Sequence, residues 1–211
     1  MIKCGRPAKG KELLSRDRVL DTALTLFLEH GYGNLSMEAI AREAHVSLRT
    51  IYSQFGSKAG LFGALIRRCS DQFVGTLTLE GTPETALSFF AREFLYRITR
   101  PDVMRMRSIL IGESPRFPDL ATQFYEQGPQ RTLDHLAQYF ARQQQSGEFA
   151  AIDAHILADQ FLSGLRSERF QKLQLGLETT PTQAEIEIWA QQATQLFLYG
   201  CAGNRKKNIS H

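Results

Sequence analysis

In the stretch VSLRTIYSQFGSK, residues 46–58, two cations stand where elementary electrostatics disfavours them. Ser47 has the character of a helix N-cap, so Arg49 falls in the first turn of the helix it opens. Ser57 repeats the pattern and puts Lys58 at the start of the next helix. The amino end of a helix already carries positive partial charge from aligned peptide dipoles and unpaired N–H groups. A cation there becomes favourable once an anion arrives. The chemistry that such residues could do is therefore anion binding, with side-chain charges and backbone N–H groups converging on one oxyanion.

Composition narrows the choice of anion. The chain has 211 residues, 43% of them apolar, enough to bury a sizeable core. No apolar run approaches the ~18 residues of a membrane span, and the opening MIKCGRPAKGK lacks the apolar segment of a signal peptide, so a cytoplasmic protein without a membrane partner is expected. Cys4, Cys69 and Cys201 are odd in number and far apart, which predicts free thiols, no metal site and no cofactor. Asp134 beside His135, and Asp153 near His155, could suggest acid–base chemistry. Neighbours at one- and two-residue spacing on a helix face different ways, however, and there is no nucleophile elbow, phosphate-binding glycine loop or HExxH pattern. No catalytic residues are assigned, and an enzyme is not expected. Residues 1–72 hold 11 basic against 7 acidic residues, net +4, whereas residues 73–211 hold 14 against 15, net −1. The anion should meet the amino-terminal third.

The elements that must position these residues are helices. Leu20, Ala23, Leu24 and Phe27 recur at three- and four-residue steps, and Gly31 is a left-handed stop. Ser36 caps a short second helix with Ile40, Ala41 and Ala44 inward. A third follows after only His45 and Val46. Within it Ile51 and Phe55 share one face, so they and Val46 can close a three-helix core, leaving Leu48, Arg49, Ser53 and Gln54 outward. Two helices joined by so tight a turn, the second polar and exposed, have the geometry of a helix-turn-helix, and duplex DNA supplies the anion. Tyr52 fits this geometry, its ring on the small core and its hydroxyl directed to a phosphate oxygen.

The segment LFLEHGYGNLSMEAIAREAHVSLRTIYSQFGSKAGLF, residues 26–62, resembles the DNA-binding domain of the TetR/AcrR transcriptional regulators. The resemblance implies that Ser36, Tyr52 and Lys58 contact phosphates. It also implies that Leu48, Arg49, Thr50 and Ser53, on the helix opened by Ser47, face the major groove, with Arg49 the candidate for reading guanine. Arg6, in GRPAKG, resembles the arm that some members lay along the minor groove. Two positions depart from the family pattern. His45 stands where glycine is usual, at a cost of roughly 1–2 kcal/mol for a left-handed residue. Gly60 replaces a helix former and is expected to loosen the start of the fourth helix by up to ~1 kcal/mol.

The remainder also reads as helical. Leu87, Phe90, Ala91, Phe94, Leu95 and Ile98 trace one face, Pro101 and Pro118 open later helices, and Gly147 ends another. GESPRFPDLATQFYEQGP is similar to the sensing half of one TetR subgroup. Phe90, Phe94, Met106, Phe124, Tyr125 and Phe161 could line an apolar cavity or simply pack a core; the resemblance implies a pocket in this half, with Arg107, Glu113 and His135 as candidate polar groups. One helix is expected from about Asp153 towards Lys172, and another from a Thr182/Glu185 capping box. The stripe Ile186, Trp189, Ala193 and Phe197 on the latter could complete the chain's own core, whereas the resemblance implies a subunit interface.

The expected architecture is all-α: a helix-turn-helix DNA-binding domain with a basic arm over 1–75, a larger helical ligand-sensing and dimerisation domain over 76–203, and a basic tail over 204–211. The expected function is that of a ligand-responsive regulator, most simply a repressor. It would bind a pseudo-palindromic double-stranded DNA operator as a homodimer and be released by a small, largely apolar effector. The alternative is a helical protein-interaction module of the same fold without sequence-specific DNA binding or ligand control.

Overall fold

The computed structural model describes residues 9–76 and 79–200, and among them every regular element is helical. Eleven α-helices are described: α1 (Lys9–His30), α2 (Met37–Glu43), α3 (Leu48–Phe55), α4 (Lys58–Thr76), α5 (Pro83–Ile98), α6 (Pro101–Glu113), α7 (Pro118–Gln127), α8 (Pro129–Gln145), α9 (Ala154–Leu165), α10 (Glu168–Gln174) and α11 (Gln183–Tyr199). Among these residues no helix is long and apolar enough to cross a membrane, and no cluster of side chains could hold a metal ion. Cys69 forms no disulfide among the described residues; Cys4, Cys201, Arg6 and the tail over 204–211 lie outside them.

The chain forms two compact units, and the first is discontinuous. It joins Met1–Gly75 to Arg105–Thr132, while the second joins Thr76–Met104 to Leu133–His211. Residues 76–203 are therefore not one compact body. The reason lies in the apolar faces of α6 and α7: Met106, Leu110 and Leu120 are buried in the same core as Leu20, Phe27, Ile40, Ile51, Phe55 and Phe62. Burying side chains of this size contributes roughly 1.5–3 kcal/mol each, so the amino-terminal helices owe part of their stability to residues more than thirty positions downstream.

Local signals set the helix ends in the first unit. Ser36 accepts a hydrogen bond from the Ala39 amide (3.1 Å) and Ser47 one from the Thr50 amide (3.1 Å), both as side-chain N-caps. His45 takes φ of 52°, the left-handed value the turn requires.

In the second unit, α11 packs against α5 and α9. Its capping box is formed in full, and hydrogen bonds from the Thr182 backbone and hydroxyl, with a further one from Arg169, hold the Glu185 carboxyl down to about 2. The helix expected from Asp153 towards Lys172 is broken. At Arg166 the backbone leaves helical geometry (ψ 49°), Ser167 is extended, and the restarted helix buries Phe170. Arg169 on that second piece bonds Glu185 and lies 5.4 Å from the Trp189 ring centroid.

Gly60 overturns the expectation drawn from helix propensity. A Cβ at this position would stand 2.1 Å from the Phe55 carbonyl oxygen, a backbone atom that cannot swing aside. The residue is what lets the end of α3 fold against the first turn of α4. Propensity alone gives Gly60→Ala a gain of up to ~1 kcal/mol; the close approach reverses the sign, and a loss of about 1–3 kcal/mol is expected. Urea unfolding of the two proteins measures the difference directly.

Candidate nucleic-acid interface

Helix α3 presents one open face because its other side is spoken for. Ile51 is fully buried and Phe55 nearly so, which fixes the helix in rotation and leaves Arg49, Tyr52 and Ser53 exposed, with Leu48 and Thr50 half-buried at the edges. Arg49 forms no ion pair among the described residues, Tyr52 is 46% exposed, and the Ser53 hydroxyl donates to the Thr50 carbonyl (3.0 Å). The Ser47 hydroxyl accepts from the Thr50 amide and also bonds the Thr50 hydroxyl, closing the first turn. Two arginines of α1 secure this helix from behind. Arg18 Nε donates to the Ala44 carbonyl (3.0 Å) at the turn, and the Arg16 guanidinium lies 4.9 Å from the Phe55 ring centroid.

Lys58 corrects the expectation placed on it. Its ammonium is directed inward, donating to the carbonyls of Tyr32 (2.7 Å) and Leu35 (2.8 Å) and lying 4.3 Å from the Tyr32 ring centroid. A cation committed to two carbonyls is not presented to a phosphate. Burial lowers its pKa, with the Glu113 charge opposing that shift.

Glu113, at the end of α6, completes the arrangement. Its carboxylate accepts from the amides of Tyr32 (3.0 Å) and Gly33. Gly31, at φ of 77°, and Gly33 permit the approach: a Cβ on the first would stand 2.5 Å from one Glu113 oxygen, and a Cβ on the second 3.1 Å from the other. The Phe117 ring packs edge-on to Tyr32 at 5.2 Å. Glu113, a candidate pocket group in the sequence, is thus engaged with the α1–α2 turn. Burial pushes the Tyr32 phenol up, followed by the charges of Asp119 and Glu113.

The other candidate sites are redistributed. Of the residues expected to line a pocket, Phe90, Phe94 and Phe161 lie in the second unit and are buried together, the Phe90 ring 5.7 Å from Phe94 and 6.1 Å from Phe161. Met106, Arg107, Phe124 and Tyr125 belong to the first unit. There Met106 is buried in the helix-turn-helix core, Phe124 packs against that core, and Tyr125 is exposed. The seven are divided between the two units. The interface stripe is corrected too: Ile186 and Trp189 are buried within the chain, Ala193 is half-buried, and Phe197 packs on Phe140 (5.6 Å) and Phe161 (5.0 Å). Ile188, Leu196 and Tyr199 are the exposed large apolar residues of α11. Asp153, considered with His155 for acid–base chemistry, instead caps α9 by accepting from the amides of His155 (2.8 Å) and Ile156 (3.2 Å).

The inward ammonium makes a prediction that separates bracing from phosphate contact. Lys58→Met leaves two carbonyls without their donor and should lower stability by about 1–3 kcal/mol. The slope of log affinity for duplex DNA against log salt should stay unchanged, whereas loss of a phosphate contact would reduce it by about one. Thermal unfolding and a salt titration on the same variant give both numbers.

With this geometry described, comparison with known proteins is informative. Residues 19–65 match the family described as "Bacterial regulatory proteins, tetR family", and residues 85–200 match "AefR-like transcriptional repressor, C-terminal domain". The HTH-type transcriptional repressor ComR of Escherichia coli (strain K12) is 33% identical over 72 residues, 34% of either chain. The HTH-type regulator AlkX of Mycobacterium tuberculosis is 36% identical over 67 residues, 32% of either chain. These matches span about a third of each relative's length. The solved structure of the flavonoid-responsive regulator FrrA is 34% identical with a TM-score of 0.74, covering 88% of this chain and 95% of that one. A TetR family regulator from Pseudomonas syringae pv. tomato shares the fold at 21% identity and a TM-score of 0.66, covering 87% and 94%. The relatives are regulators of transcription, not enzymes. The all-α chain with its amino-terminal helix-turn-helix is a member of the TetR family of bacterial transcriptional regulators.

Proposed function

We propose that this regulator is a repressor that binds a pseudo-palindromic operator as a homodimer and leaves it when a small, largely apolar effector binds. The observation that carries the reading is the division of α3: one face is locked into a core and the other offers Arg49, Tyr52 and Ser53 to the outside. Arg49 suits bidentate pairing with the O6 and N7 of guanine, and Tyr52 suits a phosphate oxygen. Amide groups at the start of α3 add donors for the backbone. Repression is supported by ComR and by the AefR-like match, and an aromatic effector by the flavonoid response of FrrA.

The subunit interface is assigned to the outward sides of α9 and α11, which pack together. Ile188 (56%), Leu196 (55%) and Tyr199 (66%) on α11 and Ile156 (55%) on α9 are exposed, and Gly164 has open space above it. Small and apolar residues on two adjacent helices suit close packing against a two-fold related copy.

Two measurements test the reading. Selection from random duplexes should enrich a palindrome, and Arg49→Ala should cost about 1–3 kcal/mol and relax one base position in each half-site; enrichment of no sequence would leave only an interaction module. Replacing Ile188 and Leu196 by glutamate should give monomers in sedimentation and abolish tight operator binding, because a single half-site contributes too little affinity.

A further inference from the structure

Among the described residues, Tyr139 and His135 of α8 each hold a buried polar atom without a hydrogen-bond partner. Tyr139 is 1% exposed and its hydroxyl has no hydrogen bond among the described residues; Nε2 of His135, one turn earlier, is buried and unpaired as well. Residues four apart share a helix face, so the two atoms belong to one side of α8. Burying an unpaired donor or acceptor is costly, and two such groups one turn apart on a helix call for a partner from outside the chain.

Their chemistry limits that partner. Burial pushes the Tyr139 phenol up, with the Glu148 charge adding to the shift and Arg142 opposing it, so the group remains an O–H donor. Burial, then the Arg142 charge, lowers the His135 pKa, so its ring is neutral and combines one donor nitrogen with one acceptor. Such a pair suits a hydroxyl or carbonyl and offers no charge to a carboxylate. The neighbouring surface is aromatic: the Phe140 ring lies 5.6 Å from Tyr139, with Phe149 at 5.0 Å and Phe197 at 5.6 Å from Phe140.

We propose that Tyr139 and His135 form the polar anchor of a binding site in the second unit for an uncharged, hydroxylated aromatic molecule. The inference rests on the reading of this chain as an effector-responsive regulator and names the chemistry of that effector. The occupant presents a ring hydroxyl or carbonyl to the pair and its flat faces to apolar side chains.

The test uses the full chain, with apigenin, a trihydroxylated flavone, and flavone, the same skeleton without hydroxyls, as probes in titration calorimetry. The wild-type chain should bind apigenin about tenfold more tightly than flavone, as one or two added hydrogen bonds allow. Tyr139→Phe should bring apigenin down to the affinity of flavone and leave flavone unchanged. Its melting temperature should hold or rise, because the deleted hydroxyl makes no bond inside the fold. A fall of several degrees would overturn the proposal by showing that the hydroxyl is bonded internally. Undiminished apigenin binding by Tyr139→Phe would overturn the anchor while leaving an effector-responsive regulator intact. Failure of both probes to bind the wild type would overturn the ligand class, and operator binding by the same preparation would show that the regulator reading survives.

Discussion

Between α1 and α2 the backbone is held by two side chains of opposite charge. Lys58, at the start of α4, takes the carbonyls of Tyr32 and Leu35, and Glu113, at the end of α6, takes the amides of Tyr32 and Gly33. Each charge is satisfied by peptide groups, so neither depends on a flexible surface partner, and hydrogen bonds to charged groups are among the stronger ones in proteins. The entry angle of α2, hence the seat of α3, depends on this turn. Lys58 also lies 4.3 Å from the ring centroid of Tyr32, which stacks with Phe27 at 5.7 Å, so the polar brace is continuous with the aromatic core of the unit.

The same division shows among the described cations of this unit. Arg16 covers Phe55, Arg18 bonds Ala44, and Arg68 pairs with Asp21 at 2.6 Å. These cations position helices. Arg49, exposed and without an ion pair among the described residues, differs because its neighbours on α3 supply no acid. Charge totals point to an anionic partner for this region, and burial separates the exposed cations from those that hold the scaffold.

Much of the helix-turn-helix was legible because its determinants are local. Ser36 and Ser47 cap helices within three residues, and the phase of α3 follows from Ile51 and Phe55 four apart. Lys58 was misread because the atoms it bonds lie 23 and 26 residues away, and Glu113 because its amides lie 80 and 81 away; no spacing rule reaches so far. On α11 the period was plain but its direction was not. Ile186, Trp189 and Phe197 form one apolar side, Ile188, Leu196 and Tyr199 another, and periodicity alone does not say which of two apolar sides meets the chain's own core. Gly60 exposed a different limit, since propensity scales describe a helix in isolation and the decisive atom belongs to its neighbour.

The discontinuity of the first unit bears on how such a protein can be cut and recombined. A segment ending at Gly75 would keep α1 to α3 and nearly all of α4 but lose Met106, Leu110 and Leu120 from the shared core, and with Glu113 the acceptor for two turn amides. Transplanting the DNA-reading helices onto a foreign sensor therefore means carrying Arg105–Thr132 with them, as a second crossover of the chain. The heritable module is a pair of segments, and an exchange between relatives that respects only the linear order would separate a reading head from the floor it stands on.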